Sequence, residues 1–285
     1  MHCCCAIVTR LKIRVYIVVK KPIVVKLGGS TLGTHDTTLD DLVSLQQKGI
    51  PVVVIHGGGQ LSTEWASRLN IPTEFVNGLR VTDAATLKVV VAVLAGLVNK
   101  ELVAAIQMRG GRAIGLCGVD GGLLQAQIKK PALGYVGDVC DVNLQPLQTI
   151  LDADYIPVLA PVSLQSPAIS TEAGFMLNVN GDAATGEIAA ALGASKLIFM
   201  TDVKGVCDGH GDLIPLLSTK VANELLANGV ISGGMMPKIE ACFRAISTVS
   251  SAQIIDGRVA HALLREVEGG DGGTTIIVTT RDKGI

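Results

Sequence analysis

Seven short stretches of the chain are dense in β-branched and other apolar residues: 23–27, 51–56, 113–117, 156–161, 196–200, 253–256 and 275–278. A strand wetted on one face alternates polar with apolar side chains, so runs without that alternation predict strands covered on both faces. Longer stretches with helical spacing lie between them. After Thr37-x-x-Asp40, Leu39, Leu42 and Val43 form an i, i+3, i+4 stripe, and Gly49 ends it, which predicts a helix with a polar start and a glycine stop. Strands alternating with helices read as βαβ units, with a mostly parallel sheet as the middle layer of an α/β fold.

The helix predicted over 83–108 breaks the amphipathic rule, because its stretch 89–98 is apolar all round. Such a helix has to be enclosed, and a second subunit is the expected cover, so a homodimer through this helix is the expected assembly. The apolar run is about half of the roughly 20 residues a spanning helix needs, and Lys88, Asn99 and Lys100 bound it, which argues against a membrane.

Composition narrows the partners. The 285 residues carry 24 Lys+Arg against 25 Asp+Glu, which gives no basic surface for nucleic acid. Charged residues make up only 17%, as expected for a large buried core. Cys117, Cys140, Cys207 and Cys242 stand singly, and Cys3, Cys4 and Cys5 are adjacent without the C-x2-C spacing of a zinc site, so neither a disulfide framework nor a protein metal site is expected. Residues 1–21 interrupt their apolar stretch with Arg10, Lys12 and Arg14, a poor signal peptide, and the compartment expected is the cytoplasm.

The candidate chemistry sits where strands end. The first strand runs into Lys26-Leu27-Gly28-Gly29-Ser30 and the second into His56-Gly57-Gly58-Gly59. Ligands of open parallel sheets bind beyond the carboxyl ends of strands, and glycines there let backbone N–H groups approach anionic oxygens. Taken singly, each loop is also what a tight turn requires. Lys26 must carry its ammonium either to solvent or to an anion beyond the strand. If residues 175–180 are extended, Asn178 and Asn180 share a face, with Asp182 at the start of a helix closed by Gly193; Asp182 could equally be a plain N-cap. Lys238 lies at another helix start, where the dipole disfavours a cation unless an anion intervenes. There is no G-x-x-x-x-G-K-[ST], no G-x-G-x-x-G and no G-x-S-x-G, which argues against a P-loop NTPase, a dinucleotide-dependent dehydrogenase and a lipase-type hydrolase.

Six segments in this order, Lys26-Leu27-Gly28-Gly29, His56-Gly57-Gly58-Gly59, Asn77-Gly78-Leu79-Arg80-Val81-Thr82, Met176-Leu177-Asn178-Val179-Asn180-Gly181-Asp182, Thr201-Asp202-Val203-Lys204-Gly205-Val206 and Gly234-Met235-Met236-Pro237-Lys238, resemble the amino acid kinase superfamily, and within it the acetylglutamate kinases. The resemblance runs from about residue 22 to the C-terminus. It implies a three-layer αβα sandwich with an acyl-amino-acid lobe over 22–193 and an ATP lobe over 194–285, after an N-terminal extension over 1–21. It implies that ATP phosphorylates the side-chain carboxylate of N-acetyl-L-glutamate. Gly58, Gly59, Arg80 and Asn178 would hold that substrate. Gly28, Gly29, Asp202, Val203, Lys204, Gly205, Val206, Cys207, Val230, Ile231 and Ser232 would line the ATP site. Lys26 and Lys238 would flank the phosphoryl group, with Asp182 holding both lysines. Mg2+ would arrive on the ATP phosphates, and a hexamer or a PII-type regulatory protein is a further partner the resemblance admits.

The residue types suit that chemistry. A carboxylate acceptor is already ionised at neutral pH, so no general base is needed, and the work left is aligning two anions and neutralising charge. The rival readings are a kinase of carrier-bound α-aminoadipate in lysine biosynthesis, which differs by one methylene of substrate, and a catalytically silent amino-acid or nucleotide sensor, which would have no need of paired lysines.

Overall fold

The computed structural model describes residues 20–28, 37–166, 175–270 and 272–277. Cys3 to Cys5, with most of the expected N-terminal extension, and Gly29 and Val278 lie outside them.

The main sheet contains β1 (Ile23–Leu27), β2 (Val52–His56), β5 (Ala113–Cys117), β8 (Ile156–Ala160), β11 (Lys196–Thr201), β12 (Leu216–Ser218), β13 (Ala252–Asp256) and β14 (Thr274–Ile277). Their order is β12-β14-β13-β11-β1-β2-β8-β5, parallel except between β13 and β14. A second, closed sheet joins β6 (Leu124–Ile128), β7 (Val136–Val142), β9 (Val162–Gln165) and β10 (Met176–Val179), and β3 (Phe75–Val76) pairs with β4 (Leu79–Arg80) in a hairpin. The helices are α1 (Thr38–Gln47), α2 (Gly59–Arg68), α3 (Ala84–Val91), α4 (Asn99–Met108), α5 (Gln145–Asp152), α6 (Gly181–Leu192), α7 (Thr219–Ala227), α8 (Met235–Ala245) and α9 (Ala262–Val267).

The unbroken apolar runs have a direct cause. Successive strand side chains point to opposite faces, and here both faces are buried. Val24 of β1 and Ile55 of β2 enter one core with α6 and α8, whereas Ile23, Val25, Val52 and Val54 enter a second core with α1, α4 and α9. The fold is therefore a three-layer αβα sandwich. The outermost strand β5 departs from the expectation of full cover, since Ile114 is exposed at the sheet edge.

Of the small closed sheet, only β10 corresponds to a stretch considered as extended, residues 175–180. In β6, Leu124 and Ala126 turn into the core while Gln125 and Gln127 do not, an alternation that a search for continuous apolar runs passes over.

The helix expected over 83–108 is continuous from Ala84 to Met108, but its middle, Ala92–Val98, is a π-helix. Its 25 residues are long and apolar enough to cross a membrane by length and composition alone, a test that the core helix of a folded domain also passes, and 44% of its most apolar window is buried inside the fold. In the fold, Val90, Leu94, Leu102 and Ile106 pack inward, and Ala92 and Gly96 stay exposed, so its own chain does not enclose it all round. At α1, Thr37 makes no cap bond; its hydroxyl oxygen instead accepts the N–H of His261 at 2.6 Å and ties α1 to the entrance of α9.

Candidate active site

Chain order reverses at β1. From there the sheet grows through β2 on one side and through β11 on the other, and a crevice opens beyond the carboxyl ends at such a point. Register sets Leu27 opposite both His56 and Met200, so the loops after β1, β2 and β11 emerge side by side.

Lys26 is buried on the β1 face that α6 covers. The first turn of α6 holds Asp182, and the first turn of α8 holds Lys238. These three meet: Lys26 Nζ lies 2.9 Å from Asp182 Oδ1, and Lys238 Nζ lies 3.1 Å from Oδ2. Burial alone would raise the Asp182 pKa, but the two lysines outweigh it and hold the carboxyl below its ordinary value. The helix cap is Asn180, whose side chain accepts from the N–H groups of Asp182 and Ala183, so Asp182 is not the N-cap and Asn180 is committed to capping. Lys238 also donates to the Gly234 carbonyl, which keeps it over the end of α8.

Beside this triad lies a cleft of about 150 Å³, lined among others by Gly58, Gly59, Arg80, Asn178 and Gly181. Gly58 adopts φ +147°, and a Cβ there would sit 2.6 Å from Leu94, so the loop admits only glycine at that point. The β3–β4 hairpin delivers Arg80, which is buried. One guanidinium nitrogen donates to the Gly59 carbonyl at 2.7 Å and to Thr63 Oγ1 at 2.8 Å, and the group lies 4.7 Å from the centre of the Phe75 ring. Among the described residues its other terminal nitrogen is buried without a hydrogen-bond partner, which leaves a charged donor pair for a ligand. Burial depresses the Arg80 pKa from its ordinary value. Asn178 donates to Thr82 Oγ1 at 3.1 Å, and that hydroxyl donates to the Arg80 carbonyl at 2.8 Å, so Thr82 links the two groups.

The expected ATP residues divide. Gly28 is half-buried at the end of β1, and Gly29 lies outside the described residues. Asp202, Val203 and Lys204 are exposed on the loop after β11, and Cys207 is half-buried where that loop bridges to Leu213. Gly205 has φ +140°, and a Cβ there would press on Thr274 Oγ1 at 2.7 Å. Val230 and Ser232 are exposed before α8. Val206 and Ile231 are buried in the core with α6 and α8, so they can offer a nucleotide only their backbone.

Both oxygens of Asp182 face cations, and the described residues contain no group of three or more His, Cys, Asp and Glu able to hold a metal ion. A magnesium ion thus fits this site on the phosphates of a nucleotide and not on a protein cage.

His56 and Thr82 stand inside the segments that carry the resemblance but have no role assigned there, and Asn99, which contacts His56, lies outside them. Their signal in the chain is slight: a histidine closing an apolar run, an asparagine following another, and a threonine two residues beyond Arg80.

A central strand ending beside a glycine loop, with two lysines on one buried carboxylate, suits phosphoryl transfer, and the chain belongs to the amino acid kinase family, whose model matches residues 21–256. Within that family it is 47% identical to an acetylglutamate kinase of Dehalococcoides mccartyi (strain ATCC BAA-2266 / KCTC 15142 / 195) over 90% of this chain and 94% of that one. An acetylglutamate kinase of Nostoc punctiforme is 44% identical, over 87% of this chain and 84% of its own. Among solved structures, smu.665 of Streptococcus mutans UA159 is 29% identical with a TM-score of 0.76, covering 90% of this chain and 98% of that one.

Proposed function

We propose that the enzyme transfers the terminal phosphoryl group of ATP to the side-chain carboxylate of N-acetyl-L-glutamate. The observation that carries this reading is the pair of lysines joined at Asp182 beside a cleft lined by Arg80, one of whose guanidinium nitrogens is buried without a hydrogen-bond partner among the described residues. Curated relatives bearing the name acetylglutamate kinase supply the substrate.

In this reading Arg80 grips the α-carboxylate, Asn178 meets the acetamide, and the N–H groups of Gly58 and Gly59 face the reacting oxygens. Lys26 and Lys238 neutralise the charge that spreads over the phosphoryl oxygens, and Asp182 holds them at a fixed separation without itself accepting a proton. Magnesium on the ATP phosphates supplies further charge neutralisation. The loops 202–207 and 230–232 bind the nucleotide, so residues 22–193 form the acyl-amino-acid lobe and 194–285 the ATP lobe. The exposed strip of the 84–108 helix around Ala92 and Gly96 supports a homodimer, and the compartment is the cytoplasm.

A coupled ADP-release assay with N-acetylglutamate, glutamate and α-aminoadipate as alternative acceptors tests this. N-acetylglutamate should give the highest kcat/KM; turnover confined to aminoadipate, or none with any acceptor, would refute the assignment.

A further inference from the structure

His56 ends β2 where the glycine loop begins, and its ring is fully buried on the sheet face covered by α4. Its Nδ1 lies 2.8 Å from the Gly57 carbonyl oxygen and its Nε2 lies 3.1 Å from Asn99 Nδ2. A carbonyl oxygen only accepts, so Nδ1 donates; an amide NH2 only donates, so Nε2 accepts. The orientation of the Asn99 amide is settled independently. Its Nδ2 lies 2.9 Å from the Val158 carbonyl and 3.3 Å from that of Leu116, both acceptors, whereas its Oδ1 accepts from Lys100 Nζ at 2.9 Å. The Nδ1–H tautomer is the one consistent with both ring contacts; the two hydrogens of the Asn99 amide serve three acceptors, so the longest contact, to Leu116 at 3.3 Å, is shared. Asn99 stands at the first position after the π-helical turn, whose extra width offsets it from the helix before, and Gly115 leaves room for it, since a side chain there would collide with Asn99 Oδ1.

The bond to Gly57 has a consequence on the other side of the loop. With the Gly57 carbonyl held toward the interior, the trans peptide turns the Gly58 N–H the opposite way, toward the cleft that Gly57, Gly58 and Gly59 line. Within the described residues neither Gly58 nor Gly59 donates its N–H to a protein acceptor. We propose that His56, fixed by Asn99 as its Nδ1–H tautomer, is a positioning residue that aims the Gly58 N–H at the acceptor substrate. Lys100, Asn99, His56 and Gly57 thus form one directed line of donors and acceptors from the surface to the cleft. Burial also favours the neutral ring, which keeps the line intact near neutral pH. The substrate named rests on the function proposed above, but the direction of the hydrogen bonds does not.

The test is a two-bond 1H–15N correlation spectrum of the uniformly labelled protein, with the His56 signals assigned by their loss in His56→Gln. The expected pattern is a protonated Nδ1 and an unprotonated Nε2, unchanged over about pH 6 to 8; an Nε2–H tautomer or an imidazolium overturns the proposal. Asn99→Asp replaces a donor by an acceptor at Nε2. It should move His56 out of the Nδ1–H tautomer and lower kcat/KM for N-acetylglutamate about tenfold or more, with the KM for ATP within about twofold of wild type. A changed tautomer with unchanged kcat/KM would also overturn it. Should Asn99→Asp not fold, the wild-type spectrum still decides the tautomer. Absence of turnover in the wild type would refute the substrate assignment and leave that spectrum to judge the alignment.

Discussion

Two cations on one buried carboxylate make Asp182 the pivot of the site, and the arrangement separates the roles of its neighbours. Lys238 is partly exposed and bound to Asp182 and to the Gly234 carbonyl, so its ammonium can turn toward a reacting group without unfolding anything. An interaction made chiefly in the transition state appears in kcat. Lys238→Ala is therefore expected to lower kcat on the order of a hundredfold or more while leaving the KM for ATP within a few-fold, read by steady-state kinetics; an unchanged kcat would remove Lys238 from the chemistry. Arg80 should show the opposite emphasis. Its guanidinium spans Gly59, Thr63 and the cleft at once, a fork that a lysine cannot reproduce. Arg80→Lys should raise the KM for the acyl amino acid roughly tenfold to a hundredfold, with a smaller change in kcat; an unchanged KM would show that the open nitrogen does not meet the substrate. Lys26, Asp182 and Lys238 could be picked out of the chain because each is a charge at a strand or helix end, where burial has to be explained. Thr82 closes one of the segments that carry the resemblance, but its role was not legible there, since a small hydroxyl that serves other side chains looks like any other threonine.

Placement of those residues depends on how closely α6 and α8 approach. Gly186 of α6 lies against the backbone of α8: a Cβ there would be 2.7 Å from the Ala241 carbonyl oxygen and 3.0 Å from the Ala241 Cα. Backbone cannot move aside as a side-chain tip can, so the helices would have to separate, and Asp182 rides on one while Lys238 rides on the other. Gly186→Ala should therefore cost about 1–3 kcal/mol in urea unfolding and lower kcat as well, because the ion pair to Lys238 would lengthen. Lower stability with full kcat would show that this contact does not set the spacing. Seven of the eight strands of the main sheet were readable from their unbroken apolar runs, whereas the three residues of β12 are too few to show one; Gly193 marks the end of α6, but the sequence places its start at Asp182 and the cap is Asn180. Three further features were not readable. Of the closed sheet only the stretch of β10 was considered extended; β6 alternates with glutamines and β7 carries two aspartates, so both resemble loop. The π turn in the 84–108 helix packs against β5 and β8, and no local sequence pattern marks it. The bond from Thr37 to His261 joins residues far apart in sequence, so the polar start at Thr37 suggested a local cap that tertiary structure diverts.

At the scale of the whole molecule, the buried imidazole of His56 links the fold to pH. Burial is the main force lowering its pKa from 6.5 to about 4; the Gly57 carbonyl opposes it, and Lys26 and Lys100 add to it. Above pH 6.5 the ring is neutral in both folded and unfolded chains and contributes no pH dependence. As pH falls below 6.5 the unfolded chain takes up a proton that the folded chain refuses, so stability declines until the folded ring also titrates near 4. Across that window the loss attributable to this one group is about 3 kcal/mol, and about 2 kcal/mol of it has gone by pH 5. Asp182 does not share the window, because a carboxyl held below its ordinary value gives up its contribution only at lower pH. Urea unfolding of the wild type and of His56→Gln at pH 7 and pH 5 isolates the imidazole, since the other titrating groups are common to both proteins and cancel in the difference. The wild type should lose about 2 kcal/mol more than the variant between those two pH values, whatever the substitution costs in absolute stability at pH 7. Equal losses would mean that the ring takes up protons as freely in the folded protein as in the unfolded chain, which its enclosure between Gly57 and Asn99 does not permit.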